Sequence, residues 1–109
     1  MNVTESIVRT IEKDGITLKD RQDVYNNLDR AILDGRFEFI HNGQSNIGFF
    51  SWDFISPTEV FINNLFIERK YRGTFNLRHG IRYLKAQYKT FGAMSWKNRK
   101  RNKIKRITI

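Results

Sequence analysis

The segment from Val60 to Ile67 constrains the fold more than any other part of the chain. Before it stands Ser56-Pro57-Thr58, where proline removes a ladder donor and starts a turn, and after it a polar stretch from Glu68 to Thr74. Along an extended backbone Val60, Ile62 and Phe66 fall on one side and Phe61, Leu65 and Ile67 on the other. A strand apolar on both faces belongs in the middle of a sheet, covered from both sides. Two adjacent amides, Asn63 and Asn64, interrupt it. Buried amides need partners, and a bulge or a cleft accommodates such a pair better than a regular ladder does.

The rest of the chain supplies the elements to surround that strand. Val3, Ile7, Val8 and Ile11 recur at helical spacing behind Thr4, expected as the N-cap, and predict a helix to about Lys13 before the Asp14-Gly15 break. Between Thr17 and Asp34, Val24, Leu28, Ala31 and Ile32 share a helical face, with Gly35 at the C′ position. The period then changes to two. Phe37 and Phe39 alternate with Glu38, Asn42-Gly43 makes a hairpin turn, and the aromatic run from Asn46 to Ile55 is the second strand. A third helix is expected from an Asn76 N-cap to about Thr90. Its buried stripe is Leu77, Ile81, Leu84 and Tyr88, and a cationic ridge of Arg78, Arg82, Lys85 and Lys89 lies one residue round. A short strand from Ala93 to Trp96 follows. The expected class is α+β, or mixed α/β: two helices, a three-strand antiparallel meander, a crossover helix and a further strand in one domain over residues 1–97, then a basic tail over 98–109.

Charge divides the chain. All eleven Asp and Glu lie in residues 1–68 with six Lys and Arg, a balance of −5, while residues 69–109 carry fourteen Lys and Arg and no acid. Such a half predicts an anionic partner. The absence of cysteine excludes a disulfide framework and a thiolate zinc site, and no His, Asp or Glu cluster has metal-ligand spacing, so no metal is expected. No apolar run reaches the length of a spanning helix and the N-terminus lacks the order of a signal peptide, so the expected location is the cytoplasm, with no membrane partner.

The junction from Asn64 to Leu77 runs from an apolar strand through a basic loop into a helix N-terminus, where free amides, the helix dipole and the charges of Arg69, Lys70 and Arg72 together favour an anion. With Leu65-Phe66-Ile67 followed by Tyr71-Arg72-Gly73-Thr74-Phe75-Asn76-Leu77, this stretch resembles the GNAT superfamily of acyl-CoA-dependent N-acyltransferases. The resemblance covers residues 36–97 best and is closest in style to small, truncated bacteriophage-encoded relatives. It implies acetyl-CoA as cofactor. Leu65, Phe66 and Ile67 would meet the pantetheine arm, Arg72, Gly73, Thr74, Phe75, Asn76 and Leu77 would surround the pyrophosphate, and a bulge would fall at Asn63-Asn64. Two small positions of the family's loop are Phe75 and Leu77 here, and no tyrosine follows Tyr88 to act as the family's general acid.

Two functions follow as expectations. One is an N-acetyltransferase acting on an amine of a macromolecular acceptor. The other is a catalytically inactive GNAT-fold module that docks on nucleic acid or an acidic host protein through its basic half. The residues expected to meet such a partner are Lys97, Arg99, Lys100, Arg101, Lys103, Lys105 and Arg106, with Tyr88, Phe91 and Trp96 as stacking surfaces for bases. Acyl transfer needs a base. Asp53, Glu59, Glu68, His41 and His79 are the candidates, and no spacing singles one out. A sheet edge left by the short C-terminal part is a place for a second copy, so a homodimer is also expected.

Overall fold

The computed structural model describes residues 2–72, 77–98 and 102–109. Two helices, α1 (Val3–Lys13) and α2 (Arg21–Leu33), precede the strands β1 (Phe37–His41), β2 (Asn46–Ser56) and β3 (Glu59–Ile67). A 3-10 turn at Arg69–Tyr71 leads toward α3 (Leu77–Gln87), and β4 (Ala93–Asn98) and β5 (Lys103–Thr108) close the chain. The sheet order is β1-β2-β3-β4-β5, antiparallel except for the parallel β3–β4 pair that α3 connects. The class is the α+β expected, with β3 central.

The starts of α1 and α2 are each fixed by a side chain. The Asn2 carboxamide, rather than Thr4, caps α1 by accepting from the Glu5 amide at 2.7 Å. Thr4 is two residues further in and buried, and its hydroxyl donates to Asp29 Oδ1 at 2.7 Å, tying α1 to α2. Asp20 caps α2, which therefore starts later than the apolar spacing suggested. Gly35 ends it with φ +71°, the left-handed conformation that glycine adopts without a Cβ penalty.

The sheet separates two cores. On one face Phe49 and Phe66 meet Ile7, Val8, Ile11 and Leu28 from the first two helices. On the other, Phe50, Trp52, Val60 and Met94 meet Leu84 of α3, with Ile81, Tyr83 and Tyr88 against them. Adjacent Phe49 and Phe50 pointing into different cores is the ordinary consequence of the two-residue strand period.

Two expectations are corrected. Phe66 does not share a face with Val60 and Ile62: it lies in the core under α1 and α2, while Ile67 joins Val60 and Ile62 on the α3 side. The cause is a bulge. Ser51 pairs with Asn64 but Trp52 pairs with Ile62, leaving Asn63 as an extra residue that inverts the alternation beyond it. The second correction concerns the C-terminal run expected as a tail. Lys103 to Thr108 form β5, antiparallel to β4 from Asn98↔Lys103 to Ala93↔Thr108. The turn back leaves Asn102 at φ +51°, a conformation asparagine tolerates better than most residues. Arg106 reaches across to Glu59 on β3 at 2.9 Å, and the Ile109 amide donates to the Gly92 carbonyl at 2.8 Å.

Candidate functional site

The bulge and the strand parting beside it define the site. Asn63 and Asn64, adjacent in sequence, both reach the same hydroxyl, which a regular strand would forbid. Ser51 Oγ donates to Asn63 Oδ1 at 2.6 Å and accepts from Asn64 Nδ2 at 2.9 Å. Ser51 is fully buried, so its hydroxyl and the two amides satisfy one another where water does not reach. Asn63 Nδ2 continues the network to Asp53 Oδ2. The other Asp53 oxygen accepts from Arg36, whose guanidinium also reaches the Trp52 carbonyl and, at 2.9 Å, Asp34 Oδ2. Both Asp53 oxygens are thus engaged, one by Asn63 and the other by Arg36.

On its other side β3 loses its neighbour. Parallel pairing with β4 runs from Glu59↔Ala93 to Ile62↔Trp96 and stops there, while β4 goes on with β5 through Lys97↔Ile104 and Asn98↔Lys103. Asn63 to Ile67 therefore have β2 on one side and no strand partner on the other among the described residues. Ser95, one residue before the last pair, is buried, and its hydroxyl has no hydrogen-bond partner among the described residues.

Of the residues expected at a cofactor, Leu65, Phe66 and Ile67 line this opening with their backbone. Leu65 is exposed, Phe66 is buried under α1 and α2, and Ile67 packs on the α3 side. Arg72 follows the opening, but its guanidinium is held: Nε donates to the Ile67 carbonyl at 3.0 Å and Nη2 to Asp14 Oδ2 at 3.3 Å. The same carboxylate accepts from the Arg69 amide at 3.0 Å, so the loop after α1 braces the loop after β3. Sequence reasoning missed this role of Asp14, which joins residues 55 positions apart. Gly73, Thr74, Phe75 and Asn76, and the side chains of Leu77 and His79, lie outside the described residues, as do Arg99, Lys100 and Arg101.

Two of the other base candidates have partners. Glu59 pairs with Arg106, and His41 Nδ1 accepts from the Gly43 amide at 2.9 Å inside the hairpin turn. Phe91 is buried in the α3-side core, and Tyr88 and Trp96 pack against it, so these three rings build the core. Arg82 and Lys85 are exposed along α3 as the spacing predicted, Lys89 is exposed just past the end of the helix, which stops at Gln87 short of the expected Thr90, and Lys97, Lys103 and Lys105 are exposed on the two C-terminal strands. Among the described residues no three His, Asp or Glu side chains gather as a metal site, and no helix is long and apolar enough to cross a membrane.

This order of helices and strands has counterparts among solved structures. The chain has a GNAT-like fold. It is similar to a GNAT-family acetyltransferase from Staphylococcus aureus, with TM-score 0.53 and 14% identity over 87% of this chain and 65% of that one. An acetyltransferase from Thermus thermophilus aligns at TM-score 0.54 and 17% identity over 85% of this chain and 66% of the other. A predicted acetyltransferase with acetyl-CoA from Clostridium acetobutylicum gives TM-score 0.54 and 14% identity, covering 93% and 76%. The chain thus spans just under two thirds of the length of the first two GNAT-like structures. No protein-family model and no curated protein matches the sequence.

Proposed function

We propose that this GNAT-like chain is an acyl-CoA-dependent N-acetyltransferase-like protein that transfers an acetyl group to an amine on a macromolecular acceptor. The observation that carries the reading is the parting of β3 from β4 beyond Ile62 and Trp96, beside the Asn63 bulge. Backbone groups of Leu65, Phe66 and Ile67 on that side have no strand to pair with among the described residues, which fits them to the amides of an extended pantetheine arm. Arg72 and the loop running to Leu77 would hold the phosphates. Acetyl-CoA supplies the activated thioester. The chain's own residues do the rest. Ser51, Asn63 and Asn64 keep the bulge formed, Asp53 and Arg36 fix the orientation of Asn63, and Arg72 turns from Asp14 to the incoming anion.

A second reading is supported by a separate observation. Arg82, Lys85, Lys89, Lys97, Lys103 and Lys105 are exposed, and no carboxylate pairs with them among the described residues. This favours a catalytically inactive GNAT-fold module binding nucleic acid or an acidic protein through its basic half, with the whole cationic surface following a steep salt dependence.

Calorimetry with acetyl-CoA at low and physiological salt tests the first reading, and the absence of saturable binding at both would remove it. For the second, mobility shift of DNA and RNA is compared between the natural chain and Lys103→Gln/Lys105→Gln. This substitution keeps β5, which a chain ending at Trp96 would lose. Equal affinity and equal salt slope for both proteins would take β5 out of the interface.

A further inference from the structure

On the face of the sheet opposite α3, α1 does not close fully over β1 and β2, and a cavity of about 460 Å³ lies between them. That volume is within the range of small-molecule sites. It sits over β1 to β3, on the far side of β3 from the gap toward β4, so it is separate from the strand opening described above. One wall carries the rings of Phe39, Phe49 and Phe66, with Phe37 packed behind the first two. Phe39 touches Phe37 edge-on at 5.1 Å, Phe37 stacks on Phe49 at 5.2 Å, and Phe49 meets Phe66 at 5.5 Å. The row runs from buried Phe66 to Phe39, 39% exposed. The helix wall offers Ile7 and Val3, and Val3 is 58% exposed at the mouth. Exposed apolar side chains beside a polar rim mark surfaces meant for a partner.

The charge at this cavity runs against the rest of the molecule. The chain carries +9 overall, and fourteen Lys and Arg follow residue 68, yet among the described residues the lining holds no Lys, Arg or His. Among the described residues its single ionisable side chain is Glu68. The Glu68 backbone is fixed, its amide donating to the Ile47 carbonyl at 2.8 Å, while its half-buried carboxylate caps no amide of the 3-10 turn that follows and has no partner among the described residues. The carboxamide of Asn46 stands on the same rim. The helix end beside the mouth is already neutralised, since Asn2 caps it and Glu5 in its first turn pairs with Arg21.

We propose that this cavity binds a small aromatic amine, with its ring against Phe39 and Phe49 and its ammonium on the Glu68 carboxylate. An aromatic body matches a wall of ring faces and edges, and a cation is the partner that an unpaired carboxylate at an apolar site favours. The site needs no acyl donor, so it stands or falls apart from the acetyltransferase reading.

The test is a titration of the isotope-labelled full chain with three probes of one shape and different charge: 2-phenylethylamine, 2-phenylethanol and 3-phenylpropionate. The expected result is saturable binding of the amine, with amide shifts confined to Ser6, Phe39, Asn46, Glu68 and their neighbours. The alcohol should bind at least tenfold more weakly and the acid more weakly still. Glu68→Gln should bring the amine down to the level of the alcohol. Val3→Trp, at an exposed position at the mouth, should block all three while the remaining spectrum shows an intact fold. Equal affinity for the three probes, shifts elsewhere on the molecule, no saturation, or an amine affinity unaffected by Glu68→Gln would each overturn the proposal. So would shifts at these residues that depend on protein concentration without any probe, because they would assign the cavity to a second copy of the chain.

Discussion

Ser51 on β2 and Asn63 on β3 share a 2.6 Å hydrogen bond at the place where the two strands fall out of step. The same hydroxyl accepts from Asn64, so one buried atom holds both halves of the bulge. Replacing Ser51 by alanine leaves two carboxamides without their shared partner in a buried setting. The expected loss is about 1–3 kcal/mol of stability, read from urea unfolding. Loss of acetyl-CoA binding in a variant that still folds would tie the bulge to the opening. Unchanged stability would show that water or a rearranged amide takes the place of the hydroxyl.

Ser95 makes the opposite case. Its hydroxyl is buried beside the last β3–β4 pair and bonds nothing among the described residues. Ser95→Ala removes a desolvated polar group without orphaning another, so stability should be unchanged or higher by up to about 1 kcal/mol. A drop in acetyl-CoA affinity with stability kept would place this hydroxyl in the acyl site. A clear loss of stability would contradict the absence of a partner.

The phenol of Tyr83 is pushed up to about 12, first by burial against Phe50 and Trp52 and then by the neighbouring Glu38 carboxylate. A group whose pKa rises on folding contributes stability that is complete below its unfolded value, near 10, and is lost as pH rises toward the folded one. Stability should therefore fall between pH 10 and 12, and Tyr83→Phe should flatten that part of the curve. Tyrosinate absorbance should show one phenol titrating well above an ordinary tyrosine. A profile through this range that is the same for the natural chain and the variant would count against the assignment.

Ending the chain after Asn98 would remove β5, uncover the β4 edge beside Met94, and break the Arg106–Glu59 pair. Met94 is buried in the α3-side core, and exposing such a side chain costs about 1.5–3 kcal/mol. Thermal unfolding should move down by roughly 10 °C or more, with a greater tendency to associate through the bare edge. A dispensable tail would leave the melting curve where it was.

Much of this molecule is legible along the chain because the signals are local. Apolar spacing places α1, α2 and α3, Asn42-Gly43 and Pro57 place the two hairpin turns, and the exposed ridge of α3 follows from spacing alone. The amide pair at Asn63-Asn64 also marks the bulge, since two polar groups in an apolar strand have to be satisfied somewhere. What the bulge does to the strand beyond it is not local. A regular period puts Phe66 with Val60, and only the register against β2 shows that one extra residue turns Phe66 and Ile67 over. Composition reads Lys103–Thr108 as a solvated run, because the partner that makes it a strand is β4, whose own place is set by a crossover helix. Asp14 gave no signal either, as its partners stand 55 and 58 residues away. The amino-acid sequence by itself determined the order and type of the first seven elements and the position of the polar break in β3. Tertiary structure decided which way the residues beyond that break face, where β3 and β4 part, and that the basic C-terminus completes the sheet. Each of these depends on pairing between distant segments, and a backbone acquires its register only from the strand beside it.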